Sequence, residues 1–235
     1  MDELEQLISN YKPSQTAIEL VRQTKITLFA GISGAGKDSI KEELLRQTDF
    51  CDIVSHTTRA PRKNNIVSEI PNIDYHFIDQ TIALNMIKER QFIEVKLVHG
   101  AIYGTSVSDL KRAHDANKIA IADIDVQGVD EYKSISKDVV TIFILPPNYD
   151  IWRQRLQKRY AAMNEFETEW PNRRRGAIKE IGRALEAPYY HFIVNDDLER
   201  AIKIAGRIAH ESYDFYYKDD EARQVAHDIL DKIVH

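Results

Sequence analysis

Residues 25–40 read KITLFAGISGAGKDSI, an apolar run that ends in three spaced glycines, a lysine and a helical pattern. Glycines in such a turn let successive backbone N–H groups point inward, and the N-terminus of the next helix adds its positive end. Lys37 follows the last glycine, where its ammonium group would reach the outer phosphates of a nucleoside triphosphate. The stretch therefore predicts a strand, a phosphate-binding loop and a helix.

One position departs from the usual pattern of such phosphate loops. Asp38 stands where a Ser or Thr hydroxyl normally binds Mg²⁺, and Ser39 comes one residue later. The Asp38 carboxylate could coordinate Mg²⁺ or repel the triphosphate, and the sequence leaves both open. A plainer alternative for the whole stretch is a glycine turn that caps a helix, with Lys37 as a surface charge.

The composition is that of a chain that can bury a sizeable core. It has 235 residues, 43% of them hydrophobic, so we expect one large domain or a core with an inserted lobe. Cys51 is the single cysteine, which excludes an internal disulfide. The net charge of −5 and the lack of a long apolar run argue against nucleic acid and membrane as partners. We therefore expect a soluble cytoplasmic protein, and its oligomeric state is left open.

The chain outside the phosphate loop alternates strands with helices. Residues 118–124, 139–145 and 191–194 are largely apolar, which is typical of strands buried on both faces of a parallel sheet. We predict an α/β fold, a P-loop NTPase-type parallel sheet flanked by helices, which binds its ligands at the carboxyl ends of the strands.

Two segments interrupt this alternation. Residues 55–104 are locally β-rich, with a short strand expected at residues 53–55, and predict an inserted lobe. Residues 160–172 lack a regular apolar period and contain Pro171, so we expect a loop or a mobile lid there, followed by a helix over residues 173–186.

Two arginines mark a candidate anion site in the inserted lobe. Arg59 and Arg62 are three residues apart in a Pro-containing turn, and two guanidinium forks suit a small dianionic phosphate. Tyr75 alternates with Phe77 on a strand and could hydrogen-bond the same phosphate. The alternative is a pair of solvent-facing arginines beside an ordinary half-buried strand.

Further polar side chains interrupt or end apolar strands. Glu94 could accept from the N1–H and N2–H₂ groups of guanine, or could simply lie on the solvent face of an alternating strand. Tyr103 and Thr105 follow a hairpin and could meet a base or a phosphate. Asp123 and Asp125 end a strand, where one could help hold Mg²⁺ or the base of the acceptor while the other caps a helix.

Read together, eight segments in order resemble the guanylate kinase family, nucleoside monophosphate kinases with a P-loop core, an inserted acceptor-binding lobe and a closing lid. The resemblance covers about residues 25–210, with the lobe at about 55–104 and the lid at about 160–172. Residues 1–24 and 211–235 would be helical extensions. The segments that carry it are residues 31–37, 55–62, 74–77, 92–94, 103–105, 123–128, 142–147 and 194–198.

The resemblance implies a role for individual positions. The positions that would act on the transferring phosphoryl group are Lys37, Arg159, Arg173 and Arg174, with the register of the arginine run left open. Those that match ATP binding are Gly31, Ser33, Gly34, Ala35, Gly36, Lys37, Asp38, Ser39 and Asn195. Those that match GMP binding are Ser55, Arg59, Arg62, Tyr75, Glu94, Tyr103, Thr105 and Asp125. Mg²⁺, carried with ATP, would lie near Asp38, Ser39 and Asp123.

The activity that the resemblance implies is Mg²⁺-dependent phosphoryl transfer from ATP to GMP or dGMP. Two alternatives remain open at this point. The Asp38-Ser39 pair also resembles a sister family, which suggests a different acceptor such as ribose 1,5-bisphosphate. A binding module without turnover is the other, although Gly34, Gly36 and Lys37 argue against a degraded phosphate loop.

Overall fold

The computed structural model describes residues 3–62, 69–98, 100–161, 165–211 and 218–235. The strands are β1 (Ile26–Ala30), β2 (Phe50–Asp52), β3 (His56–Thr57), β4 (His76–Phe77), β5 (Phe92–Val98), β6 (Ala101–Ser106), β7 (Ile119–Asp123), β8 (Val140–Leu145) and β9 (Tyr190–Val194). The helices are α1 (Glu3–Ser9), α2 (Gln15–Gln23), α3 (Lys37–Leu45), α4 (Gln80–Lys88), α5 (Val107–Asp115), α6 (Val126–Ile135), α7 (Tyr149–Ala161), α8 (Phe166–Glu186), α9 (Leu198–His210) and α10 (Asp220–Val234).

The chain divides into two compact units. Unit 1 comprises Met1–Ile26, Asp49–Ala122 and Asp130–Asp138. Unit 2 comprises Thr27–Thr48, Asp123–Val129 and Val139–His235. The expected bounds of lobe, lid and extensions remain predictions.

Unit 2 contains the phosphate loop and a parallel sheet. β8 pairs in parallel with both β1 and β9. All residues of β1 and β8 are buried, as expected for strands covered on both faces. The side chain of Asn148 caps α7 by accepting from the N–H of Ile151 at 2.9 Å, and Asp197 caps α9 by accepting from Arg200. The predicted α/β architecture with a parallel sheet is confirmed.

Unit 1 contains a four-stranded sheet in the order β4-β3-β6-β5, beside a parallel pair of β2 and β7. β6 runs antiparallel to β3 and to β5, whereas β3 and β4 are parallel. α4 packs Ala83 and Ile87 against Phe92 and Ile102 of this sheet. The hairpin expected ahead of Tyr103 is confirmed as β5 and β6, and Tyr103 and Thr105 lie within its second strand. His99, predicted to form the turn with Gly100, lies outside the described residues.

The structure moves one predicted strand, adds one helix and decides between the two alternatives for Glu94. The strand expected at residues 53–55 lies earlier, as β2 at Phe50–Asp52, where its backbone can pair with β7. The helix α6 was not predicted. Glu94 does not lie on a solvent face, because a β-bulge between Phe92 and Glu94 shifts the register and leaves the Glu94 residue only 4% exposed.

The loop predicted for residues 160–172 is wrong for much of that segment. α8 already begins at Phe166, so Trp170 and Pro171 are helical. Pro171 lacks a backbone N–H and lowers the helix propensity. Trp170, however, packs its ring against Phe166 and Trp152, with centroid distances of 5.4 and 5.2 Å. This aromatic packing outweighs the local propensity.

Candidate active site

The phosphate loop of unit 2 depends on its glycines. Gly31, Gly34 and Gly36 have positive φ angles of 139°, 86° and 93°. A Cβ at Gly36 would lie 2.2 Å from the side-chain nitrogen of Asn195, and one at Gly31 would lie 2.3 Å from the carbonyl oxygen of Ile144. Both the backbone angles and the close contacts therefore exclude larger residues.

Side chains from α7 and from the residue after β9 bind carbonyl groups of this loop. The indole N–H of Trp152 donates to the carbonyl of Ser33 at 2.7 Å. Asn195 and Arg155 both donate to the carbonyl of Ala35, at 2.9 and 3.3 Å. Asn195, predicted to contact ATP, thus anchors the loop. These donors fix the backbone shape that a phosphate cradle requires.

Lys37 lies at the start of α3 beside two carboxylates. Its ammonium group donates to the carbonyl of Gly31 at 2.8 Å and lies 3.9 Å from Oδ1 of Asp123. Desolvation raises the pKa of Asp123, Lys37 opposes the rise, and a nearby Asp38 adds to it through its charge and a hydrogen bond. Solvent still reaches 33% of the Asp123 side chain, which limits these effects.

The donor set beside the phosphate loop fits Mg²⁺. Asp38 and Asp123 place two carboxylates close enough for Asp38 to raise the pKa of Asp123. Mg²⁺ prefers such oxygen ligands and usually takes one or two carboxylates together with substrate phosphates. Ser39 is exposed on the next position of the same helix.

A third carboxylate, Glu180 of α8, belongs to the same group of charges. Desolvation raises its pKa to about 7, and Asp123 and Asp125 add to the rise, while Lys37 and Arg173 oppose it. The carboxyl group is therefore poised to change its charge near neutral pH.

The basic residues of α7 and α8 differ in their contacts. Arg173 donates to Glu169 at 2.8 Å and lies over the ring of Tyr160 at 5.6 Å from its centroid. Arg174 instead donates to the carbonyl of Ile233 at the end of α10. Arg159 is exposed near the end of α7.

The candidate anion site of unit 1 is built around Arg59. Its guanidinium group donates to the two carboxylate oxygens of Glu69 at 2.8 and 2.9 Å, and its Nε–H donates to the hydroxyl of Tyr103 at 2.9 Å. The guanidinium carbon also lies 5.4 Å from the centroid of the Tyr75 ring. Three residues proposed for one phosphate, Arg59, Tyr75 and Tyr103, are thus brought together.

Glu69 is held from two sides. Burial opposes its ionisation, but the hydrogen bonds from Arg59 and from the backbone N–H of Arg62, the latter at 2.6 Å, outweigh this and lower the pKa of Glu69. The side chain of Arg62 itself is exposed. The anion site therefore combines two cations with one ionised carboxylate.

Glu94 and Thr105 form a buried polar pair in unit 1. The Thr105 hydroxyl donates to Oε1 of Glu94 at 2.7 Å, and both residues are buried. Tyr132 makes a side-chain hydrogen bond to Thr105, and burial raises the pKa of its phenol well above the usual value. This environment fixes the carboxylate of Glu94 in one orientation, as a base-reading group requires.

Ser55 and Asp125, the two remaining residues predicted to bind GMP, have clear local roles. The carbonyl of Ser55 accepts from the backbone N–H of His76 at 2.9 Å and so joins β3 to β4. Asp125 lies in unit 2, where its carboxylate accepts from the N–H of Gly128 at 2.7 Å near the start of α6.

Sequence interpretation missed several residues of the candidate sites in unit 1 and in unit 2. Glu69 follows an irregular segment and carries no pattern that would reveal its pairing. Arg173 and Glu180 are seven residues apart on one helix, a spacing that places them on one face and could have been noticed. The residues missed are Glu69, Tyr132, Trp152 and Glu180.

Comparisons with known proteins identify relatives over most of the chain. A family model described as guanylate kinase matches residues 23–211. The guanylate kinase of Bdellovibrio bacteriovorus is 40% identical over 181 residues, which are 76% of this chain and 92% of that protein. That of Clostridium perfringens strain SM101 is 37% identical over 179 residues, 76% of this chain and 79% of the relative.

A solved structure agrees with these sequence matches. The crystal structure of guanylate kinase from Anaplasma phagocytophilum has a TM-score of 0.59 and 28% identity, covering 80% of this chain and 85% of that chain. In addition, no helix among the described residues is long and apolar enough to cross a membrane.

The parallel sheet, the glycine loop with Lys37 and the separate arginine site define a P-loop kinase of a small phosphorylated acceptor. More narrowly, the chain belongs to the guanylate kinase family. The predicted family, fold class and kinase activity are thereby confirmed.

Proposed function

We propose that this chain transfers the γ-phosphoryl group of ATP to GMP or dGMP with Mg²⁺, using the residues described above. The observation that supports the acceptor best is the buried carboxylate of Glu94, which accepts from Thr105. Guanine alone among the common bases offers an N1–H and an N2–H₂ group side by side to such a carboxylate. A site built to pair both of these donors discriminates against acceptors that lack them.

The acceptor phosphate would bind at the arginine site of unit 1. Arg59 and Arg62 supply positive charge, while Tyr75 and Tyr103 supply hydroxyl donors. Glu69 orients the guanidinium group of Arg59 through two hydrogen bonds. We infer that Glu69 is a positioning residue for this phosphate.

The triphosphate would bind at the glycine loop of unit 2. Backbone N–H groups of the loop and Lys37 would hold its outer phosphates, and Arg159 and Arg173 would neutralise charge on the transferring group. Asp38 and Asp123 would hold Mg²⁺, which when bound supplies positive charge to the β- and γ-phosphates. Closure of the lid around residues 160–172 would exclude water from the reaction.

The direct test is a substrate panel read out as ADP release. The panel contains GMP, dGMP, AMP, CMP, UMP and ribose 1,5-bisphosphate, each with ATP and with or without Mg²⁺. We expect activity with GMP and dGMP that requires Mg²⁺. The Lys37→Ala variant gives the background rate of ADP release, because it should lose turnover while still binding GMP. A preference for a non-guanine acceptor would overturn the proposal.

A further inference from the structure

Two histidines and an aspartate meet in unit 1, outside the residues that the kinase reaction uses. His56 of β3 and His76 of β4 are register partners, and Asp109 lies in the first turn of α5. One potential ligand atom from each of these three side chains lies within 4.8 Å of the other two. Asp109 is buried, and both histidines are partly buried.

The orientation of His76 directs a lone pair into this cluster. Its Nδ1 lies 2.8 Å from the amide oxygen of Asn72, which can only accept, so Nδ1 carries the proton. In the neutral ring, Nε2 is then an acceptor, and it lies 3.4 Å from both Oδ1 and Oδ2 of Asp109. Two acceptors at this distance repel each other unless a cation, either a proton or a metal ion, lies between them.

His56 adds a second imidazole. Its Nδ1 is buried and has no hydrogen-bond partner among the described residues, and its ring centroid lies 4.5 Å from that of His76. A neutral imidazole binds metal ions through the lone pair of such a ring nitrogen.

The surroundings are those that hold metal ligands in place. The hydroxyl of Ser106 donates to Oδ2 of Asp109 at 2.6 Å, and Asn72 fixes the ring of His76. The guanidinium group of Arg112 lies 3.4 Å from Oδ1 of Asp109, and its positive charge disfavours the binding of a metal ion there. Its side chain is 55% exposed and also donates to the carbonyl of Asp52 at 2.8 Å, so solvent screens much of this charge.

We propose that His56, His76 and Asp109 bind one Zn²⁺ ion, with water as a fourth ligand. Two ligands that each lie about 2.0 Å from a tetrahedral Zn²⁺ are about 3.3 Å apart, close to the separation of His76 and Asp109. Imidazole nitrogens favour Zn²⁺ over Mg²⁺, which takes oxygen ligands. The ion would join β3, β4 and α5 and so stabilise the strands that precede Arg59 and follow Tyr75.

The test is metal binding to the untagged, full-length chain after removal of metal with a chelator. Zn²⁺ is titrated by calorimetry in excess Mg²⁺ without nucleotide, and Co²⁺ replaces Zn²⁺ for visible absorption. We expect one ion per chain, a tetrahedral Co²⁺ spectrum and a higher thermal midpoint with Zn²⁺. His76→Ala and Asp109→Asn should each weaken binding about tenfold or more.

The matched control is His227→Ala, which removes an exposed histidine of α10. It should bind Zn²⁺ like the unaltered chain. Circular dichroism of each metal-free variant verifies folding, and His56→Gln replaces any variant that fails this check. Absence of binding, or equal binding by folded ligand variants and the control, would show that only a proton joins His76 to Asp109 and would overturn the proposal.

Discussion

Arg59 and Glu69 form a two-point ion pair in which both terminal nitrogens of the guanidinium group meet both carboxylate oxygens, at 2.8 and 2.9 Å. The Nε–H of the same group donates to Tyr103, and Nη1 also donates to the carbonyl of Ala60 at 2.7 Å. Arg59 therefore uses four of its five N–H groups on the protein. Such a guanidinium group is fixed in place before any phosphate arrives.

Loss of Glu69 should weaken GMP binding. In Glu69→Gln the amide cannot accept two charge-assisted bonds, so the guanidinium group of Arg59 becomes mobile. We expect KM for GMP to rise about tenfold with kcat little changed, because a charged hydrogen bond contributes about 1.5–3 kcal/mol. Steady-state kinetics with varied GMP measures this, and Glu89→Gln, an exposed carboxylate of unit 1, is the control. A lower KM would mean that Glu69 competes with the phosphate.

Glu94 should determine the choice of base. Glu94→Gln removes the charge and replaces one acceptor by a donor that faces the guanine N–H groups. We expect kcat/KM for GMP to fall about a hundredfold or more, with a much smaller change for AMP. Parallel measurements with GMP, AMP and IMP, which lacks the N2–H₂ group, test this. Unchanged discrimination between GMP and AMP would remove Glu94 from base recognition.

The elements that sequence alone predicts are those set by local pattern. β1, the glycine turn and α3 follow from an apolar run, the glycine spacing and Lys37 within sixteen residues. Glu69 could not be predicted in the same way, because its partner Arg59 is ten residues away across a segment without periodicity. At Trp170 a local pattern was present but gave the wrong structure. Local propensity predicts a loop there, whereas contacts with aromatic neighbours keep Trp170 helical.

The indole N–H of Trp152 should contribute to ATP binding through the loop. Trp152→Phe keeps a buried aromatic ring but removes the donor to the carbonyl of Ser33. A lost hydrogen bond of about 0.5–1.5 kcal/mol predicts a threefold to tenfold higher KM for ATP and an unchanged KM for GMP. Trp170→Phe changes the neighbouring indole in the same aromatic cluster and is the matched control. Equal effects on both substrates would indicate general loss of packing.

Glu180 should make stability depend on pH in the free protein. Its pKa is about 7 in the folded chain against an ordinary value of 4.5. The unfolded chain thus releases this proton first as pH rises, so the stabilising effect of the protonated form is complete below pH 4.5 and lost by about pH 7. Glu180→Gln, which cannot ionise, should raise the free energy of unfolding above pH 7 by about 1–3 kcal/mol.

Urea unfolding of the nucleotide-free protein at a series of pH values measures the Glu180→Gln effect. The difference from the unaltered chain should shrink towards the acid end of the series. Glu186→Gln, an exposed carboxylate at the end of the same helix, should give no such slope. A difference that is constant with pH would show that the substitution acts through packing alone.

Adjacent arginines on α8 should separate catalysis from stability. Arg173 lies over the ring of Tyr160, and its charge acts on Glu180 beside Lys37, whereas Arg174 binds a carbonyl in the last turn of α10. We expect Arg173→Ala to lower kcat about a hundredfold, as loss of a charge that stabilises a transition state does. Arg174→Ala should leave kcat within a few-fold and lower the thermal midpoint, because the C-terminal carbonyls of α10 lose their cation. Single-turnover rates and thermal midpoints are measured for both variants. A larger loss of kcat in Arg174→Ala than in Arg173→Ala would assign the catalytic role to Arg174 instead.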